Sequence, residues 1–534
     1  SSAASDVYKR QVFDQSEKPL AGIKVSDGLN VVETAADGSF TLPGHERERF
    51  IFITTPSGYK TFNRHYHKIE KKQSGYDFGL IPYSGRIRKD GSHRYIHITD
   101  TEIFNTENHA DWVNNVHDYA RNEQAAFIIH TGDLCYEKGL KAHIKLMNTE
   151  NMDCPVFYCI GNHDLVKGKY GEELFESIYG PVYYSFDAGN VHYVVTPMPG
   201  GDHAPGYTSD DVCRWLKNDL AHIRPGTPVV VFNHDLLTYE DTFIFKSKNA
   251  GSINLNEYNL KAWVYGHWHI NYMKKQGDVY SVCTSSLDKG GIDHSTTAFR
   301  VMHVDSKGDF TSELRYTYLD KNICIASPAG VMASGVLPVA VNVYSSVSPV
   351  REVLYTCLAD GKPVLKNKRL LQSTDWSWNG ELPLSHKYVG KELTLRVTAR
   401  FNNGEIAEAE SNFICRTEKA VPLFSADWDN LSGNAKHSAP VSAPLNLPLQ
   451  LAWTNNVGAN LYMTSPLIHK GKVIVASVDE DLKGAGHVYA LNGKDGTILW
   501  SCPVRNSIKN SIAVDSDIVF AQDAQGFLLS LIHI

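Results

Sequence analysis

The sequence holds no run of about 18 apolar residues, so nothing in it reads as a membrane-spanning helix. It has no basic excess either. Lysine and arginine number 52 against 59 acidic residues, and the formal net charge is −7. That balance argues against a surface that grips nucleic acid non-specifically. Cysteine is sparse: nine in 534 residues, an odd number, scattered, with only Cys154 and Cys159 close together. Such spacing excludes a disulfide framework and a zinc finger, and leaves isolated pairs open. What is present is the composition of an ordinary globular protein, 42% hydrophobic and 21% charged, long enough for three or four domains.

Five short strings stand in order mid-chain: Asp100-Thr101-Glu102, Gly132-Asp133-Leu134-Cys135-Tyr136, Gly161-Asn162-His163-Asp164, Asn233-His234 and Gly266-His267-Trp268-His269. Each follows a short apolar run (95–98, 127–129, 156–160, 229–232 and 263–265) that reads as a strand buried on both faces. Polar residues at the C-terminal ends of such strands are where open α/β sheets carry their sites. The intervals fit a strand, a helix and a return strand: 33 residues from Asp100 to Asp133, 29 from Asp133 to Asn162, 33 from His234 to His267. Trp112, Val116, Tyr119 and Ala120 repeat at helical spacing. So do Val212, Trp215, Leu216, Leu220 and Ile223, with Ser209 as expected N-cap and Asp210 and Asp211 in the first turn. Two carboxylates, one amide and three imidazoles suit a pair of cations held close together. His97, His130 and His192 lie inside apolar runs and read as hydrogen-bonded core histidines. His203 reads as a solvated loop residue, and Cys135 as a small buried one.

Gly-Asp, Gly-Asn-His-Asp, a lone His after a strand and Gly-His-x-His, in this order, resemble the calcineurin-like metallophosphoesterase family over about residues 93–318. The stretches 183–187 and 191–193 resemble a strand pair common in it. The resemblance implies a four-layer α/β/β/α catalytic sandwich flanked by all-β domains, and hydrolysis of phosphate mono- or diesters by a hydroxide bridging two divalent ions. It assigns Asp133 as the bridging ligand, Asp100 and His269 to the first metal, and Asn162, His234 and His267 to the second. His163 becomes the proton donor or charge stabiliser rather than a ligand. Asp164 is expected to orient His163 or to cap its loop.

One position departs from the family pattern: Glu102 stands where Asp-x-His would place a histidine. Glu102 then either ligates the first metal or accepts from a metal-bound water, or Tyr136 supplies the missing ligand. The spacing Gly-Asp-x-x-Tyr is similar to that of purple acid phosphatases, where that tyrosine binds ferric iron, and 231–234 matches their Val-x-x-His. Their Asp-x-Gly first motif and Gly-Asn-His-Glu third motif are not matched. By charge counting, Glu102 as a ligand neutralises the loaded site, whereas an Fe(III)/M(II) pair with phenolate Tyr136 keeps it positive. Oxygen-rich ligation favours Mn or Fe, with Zn possible. The competing reading is a substrate-binding or envelope scaffold protein on a degraded phosphoesterase fold, working through its last module.

The flanks read as β-structure. Residues 12–82 alternate with Asp-Gly turns as a small β-sandwich, resembling carboxypeptidase-regulatory-like and related N-terminal domains of bacterial extracytoplasmic phosphoesterases. Residues 325–416 resemble the β-sandwich that follows such catalytic domains, with Trp376 and Trp378 either core or a sugar-stacking patch. A Ser/Ala/Pro/Asn-rich linker is expected over 417–445. Residues 446–531 then repeat a strand pattern about every 40–46 residues, as two blades of a β-propeller do, and 492–500 resembles the quinoprotein-type blade signature without implying a quinone. The opening residues 1–11 and closing 530–534 resemble translated adapter sequence and are set aside. The expected setting is the periplasm or cell surface, with the signal peptide outside this chain. The expected partner is a small-molecule or envelope phosphoester.

Overall fold

Short apolar strands alternating with amphipathic helices dictate the centre of the chain. The structure, a computed structural model, describes residues 8–71, 73–418, 427–439 and 449–532. It divides into two units, residues 1–318 and 319–534. Within the first, the elements after residue 92 are β1 (His93–Ile98), α1 (Ala110–Asn122), β2 (Phe127–His130), α2 (Tyr136–Leu146), β3 (Val156–Tyr158), α3 (Glu173–Tyr179), β4 (Tyr184–Ala188), β5 (Val191–Val195), α4 (Ser209–Ala221), β6 (Val229–Phe232), β7 (Leu260–Tyr265), β8 (Tyr272–Gln276), β9 (Val279–Cys283), β10 (Ala298–Val304) and β11 (Phe310–Tyr316).

They form two sheets. One runs β3-β2-β1-β10-β11, the other β4-β5-β6-β7-β9-β8. β1, β2 and β3 are mutually parallel, with Ile128 opposite Ile96 on one side and Val156 on the other. β5, β6, β7 and β9 are likewise parallel. Between the sheets, Phe127 meets Phe186 and Tyr193 at 4.9 Å between ring centroids, and Tyr95 meets Phe232 at 5.7 Å. Ile96, Ile98 and Ile128 instead pack on Trp112, Val116 and Tyr119 of α1. Burying each such side chain contributes about 1.5–3 kcal/mol.

α1 and α4 stand where their apolar spacing predicts them. α4 starts differently: its N-cap is Thr208 rather than Ser209. Thr208 Oγ1 accepts from Asp211 N at 3.2 Å, and the Asp211 carboxylate accepts from Thr208 N at 2.9 Å. The residue three before Asp211 closes this capping box, and Ser209 is too close to do so. Thr208→Ala is expected to lower unfolding free energy by about 1 kcal/mol in urea denaturation. A second difference lies between β6 and β7, where a strand–helix–strand passage is expected. The connection is a hairpin, Ile244–Lys246 against Ser252–Asn254, followed by a 3₁₀ turn, Leu255–Tyr258.

Residues 8–82 build two four-stranded sheets closed over Val12, Val25, Phe40, Ile51, Ile53 and Leu80. Their first strand, Tyr8–Asp14, pairs Tyr8 with Leu42 and Gln11 with Ser39, so residues 8–11 belong to the fold despite being set aside above. At the other end, Leu528–Ile532 is a strand that includes residues 530–532, also set aside. Residues 1–7 and 533–534 lie outside the described residues.

In the second unit, β-structure begins at Asn322. A four- and a five-stranded sheet enclose a core in which Trp378 is 4% exposed, so that tryptophan packs rather than stacks on sugars. Of the expected linker, 419–426 and 440–445 lie outside the described residues, as do 446–448 of the expected repeat segment. Trp428 pairs as a bridge with Ile468 and packs on the next core, so 427–439 is not free linker throughout. A four-stranded antiparallel sheet (Leu467–His469 to Ile498–Val504) and a three-stranded one (Ala513–Asp515 to Leu528–Ile532) follow. All nine cysteines are free. Among the described residues no helix is long and apolar enough to cross a membrane.

Candidate metal centre

Parallel strands deliver their C-terminal ends to one rim. Asp100 comes two residues after β1, Asp133 three after β2, Asn162 four after β3, His234 two after β6, and His267 and His269 two and four after β7. Asp133, His234 and His267 bring one ligand atom each within 4.8 Å of one another, and so do Asp100, Asp133 and His269. Asp133 is common to both triads. Glu102, Asp133 and Cys135 make a third such group.

Hydrogen bonding aims these atoms. Thr99 Oγ1 and His267 N both donate to Asp100 Oδ2, at 2.7 and 3.0 Å, which turns Oδ1 into the site. His234 Nδ1 lies 2.7 Å from the carbonyl oxygen of Thr131. A carbonyl only accepts, so Nδ1 donates to it and Nε2 is the nitrogen turned to the site. Nε2 faces Asp133 Oδ2 at 3.2 Å and Asp100 Oδ1 at 3.9 Å. Asp100 Oδ1, Asn162 Oδ1 and His234 Nε2 are all buried without a hydrogen-bond partner, although Asp100 Oδ1 is 3.3 Å from His269 Nε2. Buried polar atoms are normally satisfied. Three orphans of ligand type, from three different loops, describe a place built for something positive.

Electrostatics agree. Burial opposes the charge on His234, but Asp133 and Asp100 outweigh it and lift the imidazole to about 10. Burial also opposes ionisation of Asp133, yet His234 and the His163 N–H hold its carboxyl below the usual range. The backbone is bent to the same end. Asp100, Glu102, Asp133, Cys135, Tyr136, His267 and His269 all take positive φ, a conformation that costs non-glycine residues on the order of 1–3 kcal/mol each and gathers at functional sites. Two glycines are obligatory by contact: a Cβ on Gly161 would strike Asp133 Oδ1, and one on Gly266 would strike Thr99 Oγ1.

Residues 93–271 match the family model described as Calcineurin-like phosphoesterase, and residues 8–82 match the one described as N terminal of Calcineurin-like phosphoesterase. Residues 93–271 form a calcineurin-like phosphoesterase domain. Purple acid phosphatase 13 of Arabidopsis thaliana is 26% identical over 215 residues, covering 38% of this chain and 36% of that protein. The chain therefore spans about a third of the length of this curated relative. Among solved structures, a conserved uncharacterized protein (predicted phosphoesterase) from Streptococcus pneumoniae TIGR4 is 10% identical, covers 42% of this chain and 98% of its own, and has a TM-score of 0.20. Wild-type Vps29 complexed with zinc from Entamoeba histolytica is 12% identical, covers 43% and 94%, and has a TM-score of 0.23.

The phosphoesterase domain brings Glu102 to its rim, where Oε1 lies 3.5 Å from His269 Nε2. Its other oxygen accepts from Lys289 Nζ at 2.8 Å, and the same Nζ donates to the Glu102 carbonyl at 3.1 Å. Lys289 escapes sequence reading because it stands in a loop with no periodicity. Tyr136 opens α2 and is 46% exposed, its ring centroid 5.4 Å from that of His163. Cys135 is buried, as expected, and its Sγ lies beside Glu102 and Asp133.

Asp164 caps its loop, the second of its two expected roles, and does not orient His163. Its carboxylate accepts from the backbone N–H of Asp133, Cys135 and Gly161, at 2.9, 3.0 and 2.9 Å, and so ties two site loops together. Burial, then the Asp133 charge, push it up to about 7. The partner of His163 is Asp202, whose Oδ2 lies 2.8 Å from Nδ1. Burial works against a charged His163, and Asp202 and Asp133 more than compensate, raising it above the ordinary imidazole range. The Gly200-Gly201-Asp202 loop is visible in the sequence, but its aspartate, not His203, meets the site. His203 is exposed. The other three histidines are core residues. His97 bonds Thr131 and Thr284, His130 bonds Thr101, and His192 sits between Asp187 and Asp219, which overcome burial and lift it to about 9.

The N-terminal domain reaches this loop. Arg49 Nη2 binds Glu172 Oε1 at 2.7 Å and Glu176 Oε1 at 2.9 Å. Glu172 in turn accepts from Gly206 N, while Arg47 donates to the Gly206 carbonyl at 2.7 Å and grips Asp211 with two nitrogens.

Proposed function

We propose that the phosphoesterase domain hydrolyses phosphate mono- or diesters with two divalent cations, of which Asp133 is the shared ligand. Asp100 and His269 complete one ligand set, and Asn162, His234 and His267 the other. The observation that carries this is that Asp133 belongs to both close triads of ligand atoms, in a site whose Asp100 Oδ1, Asn162 Oδ1 and His234 Nε2 are buried without a hydrogen-bond partner. The donor set, oxygen and imidazole without thiolate, fits Mn, Fe or Zn. Bound cations would polarise phosphoryl oxygens and lower the pKa of water. Glu102 beside His269, and Tyr136 beside His163, are the two candidates for a further ligand. Two sheets with helices packed on them support the four-layer α/β/β/α reading.

The remaining work falls to the chain itself. Asp202 accepts a hydrogen bond from His163 Nδ1 and favours the charged ring, whose Nε2–H passes its proton to the leaving alkoxide. Thr99, Thr131 and Asp164 hold the ligand loops still, which spares reorganisation during reaction. Asp202→Asn is expected to lower kcat about ten- to a hundredfold on an alkyl phosphate, less than the ~10²–10⁴ that a general acid itself contributes because His163 remains, and to lower it less on p-nitrophenyl phosphate. A stable leaving group needs no proton; equal losses on both esters would remove this role.

The all-β modules support an extracytoplasmic setting, and the two successive antiparallel sheets of 467–532 support propeller blades. The test is metal content together with turnover of p-nitrophenyl phosphate and its bis-ester under Mn²⁺ or Fe²⁺. Hydrolysis that disappears with a chelator and returns with metal is expected, with Tm falling on chelation. Metal bound without hydrolysis of any phosphoester would instead mark a binding protein on a disused site.

A further inference from the structure

We infer that the preferred phosphoesters carry a large apolar alcohol, a hydrocarbon chain rather than a sugar or nucleoside; this rests on the phosphoesterase reading above. The exposed large hydrophobic side chains described in the first unit are Phe62, Phe104, Tyr136, Tyr239, Ile292 and Tyr318. Three of these six contact residues of the site's loops, and a fourth, Phe104, lies near Glu102 in the chain. Phe104 follows Glu102 by two residues and is 59% exposed. Tyr136 leans on His163. Tyr239, 74% exposed, stacks at 6.1 Å and 20° on Trp268, which stands between His267 and His269. Ile292, also 74% exposed, is pinned by its N–H to the His269 carbonyl at 2.9 Å. Single apolar side chains on a surface need no explanation, but a gathering around a reaction centre does.

An adjoining cavity extends the apolar character. It has a volume of about 200 Å³ and is walled by Met198, Pro199, Leu236, Leu237, Phe245 and Trp263. Asn233 and Asp235, the neighbours of His234, also line it, and Pro199 leads into the Asp202 loop. An apolar cavity of about 150 Å³ accommodates benzene, so this one suits several methylenes. Of the polar residues that line it, Asn233 donates to Thr196 and Pro197, and Asp235 accepts from Trp268 Nε1 and from Leu236 N; Ser209 and Lys246 line it as well. A hydrocarbon chain needs no polar partner against the apolar walls, whereas sugar hydroxyls buried there would lack one.

The test uses the full chain with Mn²⁺ and n-alkyl phosphates from ethyl to octyl, whose leaving groups differ little in basicity, against glucose 6-phosphate and AMP. kcat/KM is expected to rise up to about fourfold per added methylene until the cavity is filled. Tyr239→Ser with Ile292→Ser, both at exposed positions, should flatten that rise, read as the ratio of octyl to ethyl phosphate within the one variant. A flat series, or preference for glucose 6-phosphate or AMP, overturns the inference while leaving the hydrolase reading intact. Binding of octylphosphonate against ethylphosphonate, followed by calorimetry, reads the same preference without turnover. Tighter octylphosphonate binding in a chain that hydrolyses nothing would keep the inference and sink the hydrolase; equal binding of the two would sink the inference.

Discussion

Asp133→Asn is expected to lower kcat/KM on p-nitrophenyl phosphate by on the order of 10³-fold or more, with loss of bound metal. Asparagine keeps the size and shape of aspartate, so the fold survives and the loss reads chemistry. Asp133 alone belongs to both ligand triads. Its Oδ1 accepts from His163 N at 3.0 Å and its Oδ2 faces His234 Nε2 at 3.2 Å. An amide removes the negative charge that two cations would share, and it turns either its NH₂ or its weaker oxygen towards the imidazole. A 10³-fold loss corresponds to about 4 kcal/mol of transition-state stabilisation. Metal analysis of the purified variant beside its kinetics checks the claim. Full activity with normal metal content would end the bridging role.

Arg49→Met is expected to destabilise the first unit by about 3–5 kcal/mol, the cost of removing one partner from a buried ion cluster. Glu172 is fully buried and Glu176 is 3% exposed, and Arg49 lies against both, its guanidinium 4.5 Å from the Tyr170 ring centroid. Methionine fills the space and takes from two buried carboxyls the guanidinium that bridges them. The loss should depend on pH. Burial raises Glu176 from 4.5 to about 7 even with Arg49 beside it. The folded state therefore binds a proton there that the unfolded state has released between about pH 4.5 and 7, so its contribution to stability falls as pH rises through that window. Without Arg49 the folded-state value climbs further, and the deficit of the variant should widen from pH 5 to pH 8 in urea titrations. A loss under 1 kcal/mol at pH 8 would mean that solvent already screens the cluster.

The strands, α1, α4 and the ligand-type residues behind each strand were legible because they are local. A buried strand announces itself as an apolar run, a helix as a 3.6-residue period, and a site in a parallel sheet as polar residues just past the strand end. The hairpin between β6 and β7 was missed because chain length alone cannot tell a crossover helix from other connections. Asp202 and Lys289 were missed for a different reason. A loop aspartate or lysine carries no periodic mark, and what it does depends on which loop it lands against. Of the two roles expected for Asp164, orienting His163 or capping its loop, it takes the second through Gly161 N–H, and its carboxylate also faces back to the 133–135 turn.

By itself, the order of residues determined the kit: two aspartates, an asparagine, four histidines, and apolar runs to carry each to a strand end. Tertiary structure alone decided the pairings. Asp202 meets His163 across 39 residues, Arg49 meets Glu172 across 123, and Lys289 meets Glu102 across 187. Periodicity is written by neighbours along the backbone, whereas these partners are chosen by how two sheets stack and where their loops then fall.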